Sequence, residues 1–347
     1  LFRYFSNTHF ASATPQALTF TPRFPRAADM NRDGRADIVA ADAFGSRAAI
    51  FADDGTGGLM APAFVPCSGR AFSLAVGDVN ADGFPDLAIS LTGPTPTLEV
   101  MLNNGDGTFA APVVRTTKQT VGGLALEDVD GNGRADLIAL DDLVMHVWLT
   151  GGDGSVGMTS IDTALPYQSY STSARLYATD LNRDGHLDVI PINGRDYNFP
   201  ILMGDGTGNF TDLVGPSLQV APRNVASADF NGDGRRDLVL SVVSAGQLVL
   251  LLQSDSGRFD TPRYLNGAMN VDSVVASDMN GDGTADVLVI GSGAPRGVLS
   301  ILHGLGNGQF TPARAYTLPT FPSSFLVAPL LGAPRPSIFV AHASSAG

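Results

Sequence analysis

Apolar residues in this chain come in short runs, and nearly every run is closed by Gly, Asn, Asp or Pro. The stretch from 72 to 114 sets the pattern. Phe72-Ser73-Leu74-Ala75-Val76 leads into a polar segment, Leu87-Ala88-Ile89 leaves it, and Leu98-Glu99-Val100-Met101-Leu102 follows a second polar turn. Asn103-Asn104-Gly105-Asp106-Gly107-Thr108 then separates that run from Phe109-Ala110-Ala111-Pro112-Val113-Val114. Apolar runs this short, rich in aliphatic residues and bounded by turn formers, predict four β-strands. The Gly/Asn/Asp cluster predicts a tight hairpin between strands three and four, because those residues supply the positive φ that such hairpins need. Similar clusters recur at 53–58, 151–155, 204–209, 254–258 and 304–309. No stretch carries the amphipathic period of a helix.

The four-strand unit repeats. Its first polar turn opens with Asp at 29, 78, 128, 180, 229 and 278, a spacing of 49 to 52 residues. A period near 50 with four strands per unit is that of a β-propeller, in which each repeat is one blade. The two ends complete one more unit. Phe325-Leu326-Val327-Ala328 and Ser337-Ile338-Phe339-Val340 read as strands one and two, and nothing after them supplies strands three and four. Tyr4-Phe5-Ser6-Asn7 and Thr8-His9-Phe10-Ala11 align with the strand-three and strand-four region of the 72–114 unit. The expectation is therefore an all-β, seven-bladed propeller occupying 1–347 as one domain. Residues 1–20 would pair with 323–342 in a composite blade that closes the ring and removes exposed sheet edges.

The repeated turns carry chemistry. Each puts an oxygen-bearing side chain at positions 1, 3, 5 and 9 and Gly at position 6. The sets are Asp29, Asn31, Asp33 and Asp37; Asp78, Asn80, Asp82 and Asp86; and Asp128, Asp130, Asn132 and Asp136. They continue with Asp180, Asn182, Asp184 and Asp188; Asp229, Asn231, Asp233 and Asp237; and Asp278, Asn280, Asp282 and Asp286. Hard cations such as Ca²⁺ take six to eight oxygens, and a Gly at position 6 lets a short loop wrap one ion. Position 7 (Arg35, Phe84, Arg134, His186, Arg235 and Thr284) would offer only its backbone carbonyl, which explains why its side chain varies. An EF-hand opens in the same way but ends in a bidentate Glu at position 12 and is flanked by helices. Position 12 here is Ala40, Ile89, Ala139, Pro191, Leu240 or Val289, so these are strand–loop–strand sites. Turns without metal also favour Asp, Asn and Gly. Three Asp within nine residues, six times over, repel one another without a cation, which favours calcium. The corresponding segment of the last unit, 329–337, has no acidic residue, so six ions are expected.

Charge and composition narrow the function. The formal net charge is −13, and loop Asp make up about half of the 34 acidic residues. Six dications would bring that charge to about −1, so the acidity is cation-ligand charge and not a field for a basic partner. No basic stripe is available for nucleic acid. No apolar run approaches the ~20 residues of a membrane-spanning helix. Cys67 is the only cysteine, which excludes a disulfide framework and Cys-based metal sites. Multi-Asp calcium loops suit the high calcium outside cells, so a secreted or cell-surface setting is expected.

The six D-x-[ND]-x-[DN]-G-x-x-D loops, each followed by an aliphatic strand, and the hairpin at 103–112 resemble the FG-GAP/VCBS repeat family, which includes the integrin α-subunit propeller. The resemblance covers essentially the whole chain. It implies a seven-bladed propeller with Ca²⁺ held between strands one and two of each blade by the loop residues named above. Family members act as adhesion modules, as lectins and as scaffolds in polysaccharide lyases.

In a propeller the acidic loops lie on one face, and the loops joining strands two and three and successive blades lie on the other. A partner would be read on that second, variable face. The richest candidates for contacting a ligand there are Tyr167, Tyr170, Arg175, Arg195 and Tyr197, since Tyr and Arg are enriched in binding hot spots. The competing reading places such Tyr between blades, apolar body inward and hydroxyl wet. The function expected is a calcium-binding extracellular module for adhesion to a protein or glycan partner. One alternative is a polysaccharide lyase or hydrolase, for which Tyr170 and Arg195 are the candidate pair; another is a structural unit of a larger surface assembly. No acid–base pair among the five His can be assigned roles, which weighs against an enzyme. A single Trp, Trp148, leaves no repeated aromatic signature for a sugar site in every blade.

Overall fold

The computed structural model describes residues 2–5, 14–15, 18–56, 58–141, 143–152, 154–157, 159–166, 174–195, 197, 200–242, 246–265, 271–293, 296–329 and 336–342. Among these there is no helix. The chain forms a β-propeller of four-stranded antiparallel blades, and its strands fall into seven four-stranded sheets. Six sheets are contiguous in sequence, spanning 22–66, 70–116, 124–164, 175–214, 222–265 and 271–317. These are called blades one to six below.

The seventh sheet is composite. Its first two strands are Pro322–Ala328 and Ser337–His342, which pair with each other, and Ser337–His342 also pairs with Phe2–Phe5 from the other end of the chain. Phe2 lies opposite Val340 and Phe5 opposite Ser337, and Thr14–Pro15 completes the sheet beside Phe2–Phe5. The aligned turn between those two N-terminal strands and the loop at 330–335 lie outside the described residues.

Burial follows strand position. Strand two of a blade, such as Asp37–Asp42 or Asp237–Val242, is buried along its whole length. Its side chains pack on neighbouring blades in both directions, which is why these segments read as continuous aliphatic runs and do not alternate. Strand four, such as Val113–Thr116, is the outer edge and largely exposed. The core is a set of layers between blades. Leu87 and Ile89 of blade two pack with Val39 and Ala41 of blade one. Leu238 and Leu240 of blade five pack with Ile190 and Ile192 of blade four. The composite sheet is packed on both sides in the same way: Phe325 and Ile338 against Leu288 and Leu299 of blade six, and Leu326 and Phe339 against Ile38 and Phe51 of blade one.

Two features differ from the sequence reading. Strand four of blade two begins at Val113, not Phe109; Phe109 makes only an isolated bridge to Asn103. Pro112 has no N–H to donate to a ladder, so regular pairing resumes after it. The innermost strands are also not uniform. Their register shifts between Arg23 and Arg26, Ala71 and Ser73, Pro222 and Asn224, Val271 and Ser273, and Pro322 and Ser324. Each bulge lies at the end of the strand away from the acidic loop. Bulges increase twist and re-aim side chains, and here they do so around the propeller axis.

Candidate metal loops and the central channel

The acidic loops join strands one and two of blades one to six. The position-9 carboxylates, Asp37, Asp86, Asp136, Asp188, Asp237 and Asp286, are no more than 1% exposed. Each accepts two backbone hydrogen bonds. One comes from the position-2 N–H (Met30, Val79, Val129, Leu181, Phe230 or Met279) at 2.7–3.0 Å. The other comes from the end of strand three (Asp53, Asn103, Thr150, Gly204, Gln253 or Gly304) at 2.6–3.0 Å. This Asp therefore ties its loop to the hairpin between strands three and four, and puts both on one face. Sequence reasoning treated position 9 only as an ion ligand and missed this second role.

The outer residues fold the loop around a centre. The position-1 carboxylate accepts from the Gly N–H at position 6, at 2.7–3.0 Å in all six loops. That Gly has φ between +82° and +89°, which a side chain would strain. The position-5 oxygen accepts from the position-7 N–H, as Asp233 does from Arg235 at 2.8 Å. In five loops the position-3 Asn turns its amide nitrogen to the position-5 Asp at 2.7–3.2 Å. The Oδ1 of the same Asn accepts the position-5 N–H at 2.8–3.1 Å, so this side chain closes the loop on itself. The third loop has Asp at position 3, and there carboxylate oxygens of Asp128, Asp130 and Asp136 lie within 4.8 Å of one another. A donor set made only of oxygens, with carboxylates converging, fits a hard cation and not a soft one.

Electrostatics point the same way. Burial, with the other loop carboxylates adding to it, pushes Asp86, Asp136 and Asp237 up to about 6. Asp37 and Asp188 are raised for the same reason. Hydrogen bonds from Thr284 hold Asp282, at position 5, below the usual carboxylate range. Position-7 side chains tie loops together: Arg235 pairs with Asp233 and Asp255 at 2.6 Å, and Arg134 reaches the Asn80 carbonyl of the preceding loop. His186 is exposed at its position 7.

The ligand candidates on the opposite face are only partly brought together. Tyr167 and Tyr170 lie outside the described residues, so the Tyr170–Arg195 pair has no described geometry. Arg195 and Tyr197 sit in the loop between Asp188–Ile192 and Pro200–Gly204, and Tyr197 is 61% exposed. Phe44 and Phe321, on other loops of that face, are 70% and 49% exposed. Arg175 is not a surface residue. It opens the innermost strand of blade four, opposite Ile192, and lines the channel at the propeller axis.

That channel holds a cavity of about 540 Å³, lined by the innermost strands, with Phe24, Arg26, Glu127, Arg175, Tyr177 and Asn224 among its walls. Gly123 lets blade three approach blade four, since a Cβ there would lie 3.2 Å from the Arg175 backbone. Phe24, in the blade-one bulge with φ +50°, meets the ring of Phe72 at 6.1 Å. The bulged Arg223 and Asp272 form an ion pair at 3.3 Å. Sequence reasoning passed over this ring. Its signal was the pairing of Arg with an aromatic residue in two innermost strands, Phe24 with Arg26 in blade one and Arg175 with Tyr177 in blade four.

Known proteins share this architecture. An Agrocybe aegerita lectin that recognises non-reducing terminal N-acetylglucosamine is 20% identical, with 94% of this chain and 86% of that one aligned at a TM-score of 0.62. The Pseudomonas aeruginosa periplasmic gluconolactonase PpgL is 16% identical, covering 92% and 93% of the two chains at a TM-score of 0.65. BBS1N, solved in complex with ARL6DN, is 10% identical and covers 95% and 94% at 0.59. At these identities the likeness is one of fold. No curated protein sequence matches the chain. The FG-GAP-like repeat matches residues 29–89, 128–190, 229–289 and 278–330, taking in all six acidic loops. On the strength of those repeats, the chain belongs to the FG-GAP-like repeat family.

Proposed function

We propose that this protein is a calcium-stabilised, secreted or cell-surface propeller that binds a glycan or protein partner on the face opposite its acidic loops. In this reading each of the six loops holds one Ca²⁺. The composite sheet serves as a seventh blade that closes the ring, supported by its packing between blades six and one. The calcium part is supported by the oxygen-only donor sets and by the buried carboxylates of Asp37, Asp86, Asp136, Asp188 and Asp237, whose raised pKa a cation would relieve.

The observation that carries the binding part is the placement of exposed aromatics. Phe44, Tyr197 and Phe321 all stand on loops of the variable face. Large aromatic side chains left in water on one face are the usual anchors of an interface. The test is a glycan array, with affinity capture beside it, run in calcium on the wild type and on Phe44→Ala and Tyr197→Ala. Binding weakened by either substitution is expected. A blank array and a capture profile indifferent to both substitutions would refute the assignment of this face.

A further inference from the structure

The innermost strands crowd around the axis, and those of blades one, two, four and five carry Arg23, Arg26, Arg70, Arg175 and Arg223. Three arginines stand in or beside the channel, and they are not equally neutralised. Arg223 is paired with Asp272 at 3.3 Å. Arg26 lies in the field of Glu127, which partly offsets the burial that lowers its pKa. Arg175 makes no ion pair with any described residue. Its guanidinium reaches across the channel to the ring of Phe24, 5.8 Å from the centroid. Burial, and then the like charges of Arg26 and Arg223, push it down to about 10, with the field of Asp272 opposing them. A half-buried cation without a direct ion pair is costly, and an anion beside it recovers that cost. A guanidinium is planar, and its fork of N–H donors matches the two oxygens of a carboxylate.

The space beside Arg175 suits a small molecule. A 540 Å³ cavity is within the range of small-ligand sites. Tyr177, Asn224 and Ser273 line it with groups that can bond hydroxyls, and Phe24 adds an apolar surface. Three arginines face two carboxylates, Glu127 and Asp272, and the one positive charge left over calls for one negative charge. We propose that the central channel is a binding site for a small hydroxylated monocarboxylate, held by the Arg175 guanidinium with Phe24 behind it. This site is separate from the acidic loops and from the exposed aromatics of the variable face, and it stands whether or not those bind their own ligands.

The test is isothermal titration calorimetry of the full chain with D-glucuronate, with D-glucose as the neutral counterpart and inorganic phosphate as competitor. Glucuronate should bind and glucose should not. Arg175→Gln should weaken glucuronate by about tenfold or more. Asp272→Asn should strengthen it severalfold, because it frees Arg223 at the same mouth. Asp272 lies on the rim, with 42% of its side chain exposed, so this second variant reports even if Arg175→Gln fails to fold. The proposal is overturned if glucuronate gives no heat, if glucose binds as well, or if both variants bind like the wild type. Phosphate competing as strongly as glucuronate would overturn the carboxylate assignment.

Discussion

Acid should loosen the composite sheet through one residue, His342. It ends the strand Ser337–His342, lies opposite Pro322, and is only 9% exposed. Its Nδ1 is 2.7 Å from the Thr320 hydroxyl. Burial pushes its pKa from 6.5 down to about 4, so the folded protein holds this imidazole neutral. The sign follows from which state binds the proton more readily. Above about 6.5 the ring is neutral in both states and costs nothing; between about 6.5 and 4 the unfolded chain takes up a proton that the folded one refuses. Stability is thus present at neutral pH and lost as pH falls. From pH 7.5 to 5.0 a shift of this size removes about 2 kcal/mol. In a domain of this size that lowers the thermal midpoint by several degrees. The assay is thermal unfolding followed by circular dichroism at both pH values, for wild type and His342→Gln, which stays neutral throughout. The difference between the two proteins isolates His342 from every other titrating group. The wild type should lose more stability on acidification than the variant. Equal losses would refute the assignment of a buried neutral histidine to the seam where the chain ends meet.

Three further outcomes follow from the loops and the packing. Chelator should lower the midpoint of thermal unfolding, since an ion bound only by the folded state stabilises it by about 2.7 kcal/mol per site at a hundredfold excess over Kd; an unchanged melting curve in EGTA would remove calcium from the account. Asp237→Ala strips two buried N–H groups of their acceptor, so it should cost on the order of 1–3 kcal/mol in urea unfolding even in EGTA, whereas Asp233→Ala, whose bonds to Arg235 are exposed at the rim of the same loop, should cost more in calcium than in EGTA. Gly77→Ala would place a Cβ 2.7 Å from the Leu126 carbonyl oxygen and 3.0 Å from Ala135 Cβ. Forcing blades two and three apart should cost about 1–3 kcal/mol, and a urea midpoint equal to wild type would contradict that close approach.

How much of this could be read from the chain depends on whether a feature repeats. Blade architecture was legible because the same short strands and the same nine-residue loop recur six times, and a feature such as Gly34 or Gly283 at φ above +80° has only one residue type that suits it. The loops' outer Asp and Asn were legible as oxygen donors for the same reason. The inward role of Asp37 and its five counterparts was not, because a carboxylate that staples a hairpin and one that meets an ion look identical in sequence; only the N–H of Asp53 at 2.9 Å separates them. The channel was illegible for a different reason. Arg26, Arg175 and Arg223 belong to three different blades and stand at different offsets before their acidic loops, and although the bulges recur near the same place in the innermost strand, the residues they carry differ in chemistry, as Phe72, Arg223 and Asp272 do. In a propeller, repetition builds the scaffold and its metal loops, while the residues that could distinguish one family member from another are those that break the repeat and meet only when the blades are arranged around the axis. That is why Arg175, misplaced on the surface when read from its neighbours in sequence, becomes the residue with the most specific consequences once its neighbours in space are Phe24 and Arg26.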